Sequence, residues 1–217
     1  MRRFHDREEG GRVLAEALRH LAGRGDVVVL GLPRGGVPVA YQVAQALEAP
    51  LDVFVVRKLG VPGHPELAMG AIASGGVRVM NDAVVRELAI PQQAIDRVAE
   101  DEQRELQRRE RMFRGDRAAP EVAGRVAVLV DDGLATGSTM RAAVAALRKL
   151  APSRIVVAVP VGAREACEEF GREVDEVVCA QVPDYFRAVG LWYEDFEQTG
   201  DEEVRELLAR AARAPTH

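Results

Sequence analysis

A chain of 217 residues with 47% apolar and 29% charged side chains has the size and balance of one globular α/β domain with a modest accessory region, long enough to bury a substantial core. Its 34 acidic against 29 basic residues leave a net charge of −5, which gives no electrostatic footprint for a nucleic-acid partner. The opening MRRFHDREEGGR is charged and lacks an apolar h-region, and no stretch is long enough to cross a bilayer, so the sequence predicts a cytoplasmic protein with no membrane partner.

Residues 7 to 22 carry an amphipathic helical pattern closed by Gly23 and Gly25, and Val27 to Leu30 reads as a short buried strand. GLPRGGVPVA, residues 31 to 40, ends that strand and opens a helix over Gly36 to Leu47. Here Gly35 and Gly36 let the main chain approach an anion closely, and the Arg34 guanidinium offers a planar fork for its oxygens. A second strand is predicted over Leu51 to Val56. The Gly and Pro content of VRKLGVPGHPELAMGAIA, residues 56 to 73, then predicts a long loop, of the kind that serves as a lid or is disordered. Arg57 and Lys58 stand at its root. His64 and Glu66 are its only side chains suited to proton transfer near neutral pH, Glu66 only with a raised pKa, and the competing reading of His64 is a plain exposed loop residue.

Gly75-Gly76 marks a hairpin turn between Ala71 to Ala73 and Val77 to Met80, and Asn81 caps a short helix. Residues 91 to 117 are strongly helical, with Glu100/Arg104, Glu105/Arg109 and Glu110/Arg114 at the favourable four-residue spacing. Their sparse apolar side chains predict a solvated helix packed along one stripe, or a dimer arm; the alternative is that Arg108, Arg109, Arg111 and Arg114 reach a ligand phosphate.

Val126 to Val130 returns to the core and leads into the most informative segment, VLVDDGLATGSTM, Val128 to Met140. A buried strand ends in two carboxylates, Asp131 and Asp132, and a hydroxyl-rich turn runs straight into a helix. Such a turn aims several N–H groups at one point, where the helix dipole favours a phosphate. Adjacent carboxylates repel a bare phosphate but suit sugar hydroxyls, so the pattern predicts a ribose 5-phosphate group. A nucleotide P-loop is excluded, because Ser138 follows Gly137 where that loop needs a lysine. A helix over Thr139 to Leu150, a strand over Ile155 to Val159, a helix over Ala163 to Phe170 and a strand over Val174 to Ala180 complete an alternation that specifies a mainly parallel sheet. Cys167 and Cys179 lack CxxC spacing and read as buried reduced thiols rather than a disulfide or metal pair. The segment AQVPDYFRAVGLWYEDFEQTGDEEVRELL holds Tyr185, Phe186, Trp192, Tyr193 and Phe196; for Trp192 and Phe196 the preferred role is pinning the C-terminal helix to the sheet.

Val128 to Met140 resembles the PRPP-binding motif of the type I phosphoribosyltransferases, which use 5-phosphoribosyl 1-diphosphate (PRPP). By that resemblance Asp131 and Asp132 approach the ribose 2- and 3-hydroxyls, directly or through Mg2+ and water. The N–H groups of Ala135, Thr136, Gly137, Ser138 and Thr139, with the three hydroxyls, hold the 5-phosphate. GLPRGG is similar to the family's diphosphate loop, which implies diphosphate contacts from Arg34, Gly35, Gly36, Arg57 and Lys58 and a non-proline cis peptide joining Pro33 to Arg34. Residues 56 to 73 correspond to its mobile lid, with His64 and Glu66 as candidates. Val182-Pro183-Asp184-Tyr185-Phe186 matches a hood element in which Val182, Tyr185 and Phe186 meet the base. The resemblance implies one phosphoribosyltransferase domain over residues 1–217: core about 25–80 and 120–181, helical insertion about 81–119, hood about 182–196 and C-terminal helix about 200–212. It further implies Mg2+-dependent transfer from PRPP to a nitrogenous base, with Asp131, Asp132, Lys58 and Arg34 as the catalytic group, in a homodimer. One departure is Ala135, where some purine transferases carry a third acid. Any general base then comes from elsewhere, or the acceptor needs none, and a non-catalytic PRPP-binding regulator is the alternative.

Overall fold

The structure is a computed structural model that describes residues 2–213. The apolar runs pair into a parallel five-stranded sheet of order β2-β1-β6-β7-β8, with β1 Val27–Gly31, β2 Leu51–Val53, β6 Val126–Val130, β7 Arg154–Val161 and β8 Glu176–Gln181. Both faces of such a sheet must be covered, which is why these strands read as unbroken Val/Leu/Ile runs rather than alternating ones. Helices α1 (Arg7–Ala17) and α2 (Gly36–Leu47) cover one face, packing Leu14, Leu18, Val39 and Val43 on Val27, Val29, Val126 and Val128. Helices α5 (Ser138–Arg148) and α6 (Arg164–Glu173) cover the other, with Met140, Val144, Leu147 and Phe170 on Val28, Leu30, Leu129 and Val157.

The chain leaves β1 toward β2 on one side, and β6 leads to β7 and β8 on the other. The winding therefore reverses between β1 and β6, whose ends are neighbours through the Gly31–Val130 register. A crevice outside the carboxyl ends of two such strands is where open α/β sheets bind ligands.

Residues 56–73 are not the loop that their Gly and Pro content predicts. They form β3 (Val56–Val61) and β4 (His64–Ala73), a hairpin turning at Pro62-Gly63 with Gly63 at φ 80°, and β5 (Val77–Met80) completes a separate antiparallel sheet. Leu59 and Val61 are buried at alternate positions of β3 and Met69, Ala71, Ile72 and Ala73 are buried in β4, and this burial outweighs the local breakers. The strand predicted over Leu51 to Val56 accordingly stops at Val53, and Val56 begins the second sheet. The turn at Gly75-Gly76 is as predicted.

Beyond α3 (Asp82–Glu87), α4 (Gln92–Arg114) buries a single stripe of Ile95, Ala99, Leu106 and Phe113. That stripe packs with Val204, Leu207 and Leu208 of α7 (Asp201–Arg213) and with the hairpin. Glu105 accepts from both Arg108 and Arg109, which holds its carboxyl down at about 2. Arg114 turns inward instead, its Nη2 lying 2.6 Å from Oδ2 of the buried Asp52 on β2. The arginine run is thereby committed in part to anchoring the insertion.

Cys167 of α6 and Cys179 of β8 are joined in a disulfide, which corrects the expectation of two reduced thiols. Spacing in sequence could not reveal it, because the α6–β8 connection doubles back and turns alternate β8 positions, Val177 and Cys179, toward α6. Closing a loop with a separation of 12 residues constrains the unfolded chain. Replacing both cysteines with alanine is expected to lower unfolding stability by about 2–4 kcal/mol, measured by urea denaturation against the oxidised protein. Among the described residues no helix is long and apolar enough to cross a membrane.

Candidate functional site at the switch point

The two loops singled out in the sequence leave adjacent strands and interlock above them. The first follows β1 and contains the cis peptide between Pro33 and Arg34, as the resemblance implies. The second follows β6 and carries the acid pair. A Cβ on Gly36 would lie 2.6 Å from the Val130 carbonyl oxygen and 2.9 Å from Asp131 Cα; one on Gly35 would lie 2.9 Å from Asp132 Cγ. Both glycines are thus set by close approach of main chain to main chain and to carboxylate, not by turn geometry alone.

Asp131 and Asp132 sit at the floor of this crevice. Asp132 donates its backbone N–H to Asp131 Oδ1 at 2.9 Å, and its own Oδ2 accepts from Arg7 Nε at 2.9 Å. Burial, and then the neighbouring Asp132 charge, push the Asp131 carboxyl well above its ordinary range. Burial also raises that of Asp132, while the Arg7 hydrogen bond and charge pull the other way. Each carboxylate has one oxygen engaged by the protein, while Asp131 Oδ2 and Asp132 Oδ1 have no protein partner among the described residues.

On the far side of the crevice, Ala135, Thr136, Ser138 and Thr139 are exposed and Gly137 is half-buried. Gly137 stands at φ 70° immediately before α5, with Phe170 packed where a side chain would go. Among the described residues, no partner within the protein is found for the N–H groups of Ala135 to Thr139. Several free donors and the positive end of an 11-residue helix therefore converge on one open point.

The candidate cations are each engaged by a carboxylate from an accessory element. Arg34 Nη1 lies 3.6 Å from Asp201 Oδ1 at the start of α7, and Arg57 Nη2 lies 2.6 Å from Glu102 of α4. Lys58 Nζ donates to the Glu66 carbonyl at 3.2 Å, with the Glu66 carboxylate at 3.9 Å. His64 and Glu66 stand exposed on β4 near the hairpin tip. In the hood segment Tyr185 is 91% exposed, whereas Phe186 packs beside Phe4, Val161 and Tyr193, and Val182 is half-buried.

Trp192 and Phe196 do not pin the C-terminal helix; α7 is held by α2 and α4. The aromatics instead bind the N-terminal segment. Phe4 bridges to Tyr193, with Phe4 N–H donating to the Trp192 carbonyl at 2.9 Å and Glu194 N–H to the Phe4 carbonyl at 2.8 Å. Phe196 stacks on Tyr193 with centroids 5.1 Å apart, and the Tyr193 hydroxyl donates to the Asp132 carbonyl at 2.6 Å. Sequence reasoning missed Arg7 and Tyr193, because nothing local marks residues so distant in the chain as partners of Asp132.

A space of about 410 Å³ at the β2 edge, lined by Leu30, Phe54, Val122 and Leu150, is apolar, and the ion pairs of Arg114 with Asp52 and Glu110 occupy its polar rim. Unpartnered donors and acceptors gather at the switch point instead.

Residues 4–191 match the family described as the phosphoribosyl transferase domain. Over 213 residues the chain is 52% identical to two Mycobacterium tuberculosis proteins named "Putative phosphoribosyl transferase MT0597" and "Putative phosphoribosyl transferase Rv0571c". Those alignments cover 98% of this chain and 48% of each relative, so the chain spans about half the length of these curated relatives. It is also similar to the crystal structure of TT1426 from Thermus thermophilus, at 44% identity and a TM-score of 0.84, covering 97% of this chain and 99% of that one. Family match, identity and architecture agree: the chain belongs to the phosphoribosyl transferase family, in its type I form.

Proposed function

We propose that the protein is a Mg2+-dependent phosphoribosyltransferase that moves the 5-phosphoribosyl group from PRPP to a nitrogenous base or related acceptor and releases diphosphate. The observation that carries this reading is the meeting of two loops at the switch point: an acid pair with two free oxygens lies beside a cluster of free N–H donors, under an arginine-bearing glycine loop. A phosphorylated sugar with a diphosphate on its anomeric carbon needs those three features together.

Asp131 and Asp132 orient the sugar through its hydroxyls, and the N–H groups of Ala135 to Thr139 hold the 5-phosphate. Arg34 and Lys58 exchange Asp201 and Glu66 for the leaving diphosphate. Displacement at the anomeric carbon develops positive charge on the sugar ring, so positioning and charge stabilisation supply most of the rate. The donor set suits Mg2+: two carboxylates with free oxygens, and no group of three or more His, Cys, Asp or Glu side chains among the described residues, leave the other ligand positions to substrate oxygens and water, as this ion favours. When bound, Mg2+ offsets diphosphate charge. The exposed hairpin tip is the proposed closing element, Tyr185 the proposed stacking surface for the base, and a second copy of the chain the proposed partner, all in the cytoplasm.

Ala135 permits, without requiring, one competing reading, a PRPP-binding regulator without turnover. Incubation with PRPP, Mg2+ and a panel of bases separates the two: base-dependent release of diphosphate establishes the transferase, and saturable PRPP binding with no release establishes the regulator. Arg34→Ala is expected to weaken PRPP binding by about 1.5–3 kcal/mol through loss of a charge-assisted contact, with little change in melting temperature. Unchanged affinity by calorimetry would remove Arg34 from the site.

A further inference from the structure

Arg7 is the first residue of α1, where a cation opposes the helix dipole; the turn is otherwise built for that dipole, with Asp6 capping the Glu9 N–H at 2.8 Å and Glu8 and Glu9 following. Its position makes sense only through what it touches. Its side chain is 12% exposed, against 17% for Asp132, and three contacts fix the guanidinium. Nε donates to Asp132 Oδ2 at 2.9 Å, Nη1 donates to the Glu197 carbonyl at 2.7 Å, and Cζ lies over the Phe196 ring at 3.9 Å from its centroid. Gly35 roofs the pair, since a Cβ there would stand 3.2 Å from Arg7 Nε and 2.9 Å from Asp132 Cγ. Tyr193 holds the same aspartate from its main chain.

We propose that Arg7 is a positioning residue for ribose recognition: by holding Oδ2 of Asp132 it presents Oδ1 of that residue, beside Oδ2 of Asp131, to the two neighbouring hydroxyls of a furanose 5-phosphate. The inference rests on the phosphoribosyl reading above and adds to it a residue from outside both ligand loops. Asp131 is set in the complementary way, its Oδ1 taken by the Asp132 N–H, so the two free oxygens come one from each carboxylate. A vicinal diol offers two donors to match. Arg7 also cancels one of the two adjacent charges, which lowers their mutual repulsion before any ligand arrives. Because the guanidinium is itself held at Nη1 by the Glu197 carbonyl and over the Phe196 ring, it holds Asp132 Oδ2 in place as well as offsetting its charge, which an ammonium would not do. The N-terminal segment is thereby part of the sugar site, clamped through Phe4 and the aromatics that follow residue 191.

Calorimetric titration of ribose 5-phosphate and of inorganic phosphate into wild type, Arg7→Gln, Asp132→Asn and the double variant tests this. Arg7→Gln is expected to lose about 10-fold or more in ribose 5-phosphate affinity while keeping wild-type affinity for phosphate, whose proposed donors Arg7 does not contact. In the Asp132→Asn background the same substitution is expected to cost nothing further. Equal losses for both ligands, no loss for ribose 5-phosphate, or an undiminished cost in the Asp132→Asn background overturns the proposal. If Arg7→Gln does not fold, Arg7→Lys serves: weaker ribose 5-phosphate binding with unchanged phosphate binding supports the role of the fork, and wild-type affinity for both overturns it. Failure of wild type to bind ribose 5-phosphate refutes the phosphoribosyl reading itself, an outcome distinct from a wild type that binds and an Arg7→Gln variant that binds equally well.

Discussion

Gly36→Ala is expected to abolish PRPP binding and to destabilise the fold by about 1–3 kcal/mol, the usual cost of forcing a methyl group into closely packed surroundings. The new Cβ would meet the Val130 carbonyl oxygen at 2.6 Å and Asp131 Cα at 2.9 Å, and both belong to main chain that cannot rotate away. Relief requires the loop after β1 to lift from the loop after β6, which separates Arg34 from the acid pair. The check is a urea titration of the apo-protein with PRPP calorimetry beside it. Wild-type stability together with wild-type affinity would mean that the interlock of the two loops is irrelevant to the ligand site.

Asp131→Asn is expected to act in the opposite direction on stability, raising it on the order of 1 kcal/mol at neutral pH while eliminating the response to PRPP with Mg2+. The native state raises the Asp131 pKa above the ordinary 3.8, by burial and then by the charge of Asp132, so the folded protein binds that proton more tightly than the unfolded chain. At pH above the raised value the ionised carboxylate counts against folding, and the neutral amide escapes that penalty while its oxygen can still accept from the Asp132 N–H. As pH falls through the raised value toward the ordinary one, the native carboxyl takes up its proton and the penalty fades. The stability advantage of Asp131→Asn over wild type should therefore shrink across that window. A variant less stable than wild type at neutral pH, or an advantage that grows on acidification, would show that Asp131 is not held against its electrostatic preference.

How much of this was legible in the sequence depends on how local each signal was. The parallel sheet was, because Val27 to Leu30, Val126 to Val130 and Ile155 to Val159 are short apolar runs separated by helical patterns. The two loops that meet at the candidate site also stood out, since each places its glycines, hydroxyls and charges within about a dozen consecutive residues. The β3–β4 hairpin was obscured because Gly60, Pro62, Gly63 and Pro65 signal breaks, while the apolar positions Leu59, Val61, Met69 and Ile72 become decisive only once α4 and α7 supply a surface to pack against. The disulfide, the ion pair of Arg114 with Asp52 and the hold of Arg7 on Asp132 join residues whose separation carries no pattern. Arg7 and Asp132 stand 125 positions apart and come together only because α1 lies over the sheet and the aromatics after residue 191 draw the N-terminal segment across it.

The central claim is that the crevice between β1 and β6 binds a phosphoribosyl diphosphate, and the thermal shift of the apo-protein on addition of PRPP with Mg2+ tests it most directly. A ligand that binds only the native state at about 100 times its dissociation constant stabilises it by ~2.7 kcal/mol, which displaces the melting temperature measurably. The shift should be present in wild type and absent when Thr136 is replaced by tryptophan, which fills the phosphate nest. It should also be absent in Asp131→Asn with Asp132→Asn, although that double variant should retain weak binding of ribose 5-phosphate through the nest. No shift in wild type at millimolar PRPP, or shifts of wild-type size in both variants, would contradict the assignment of Val128 to Met140 as the phosphoribosyl site.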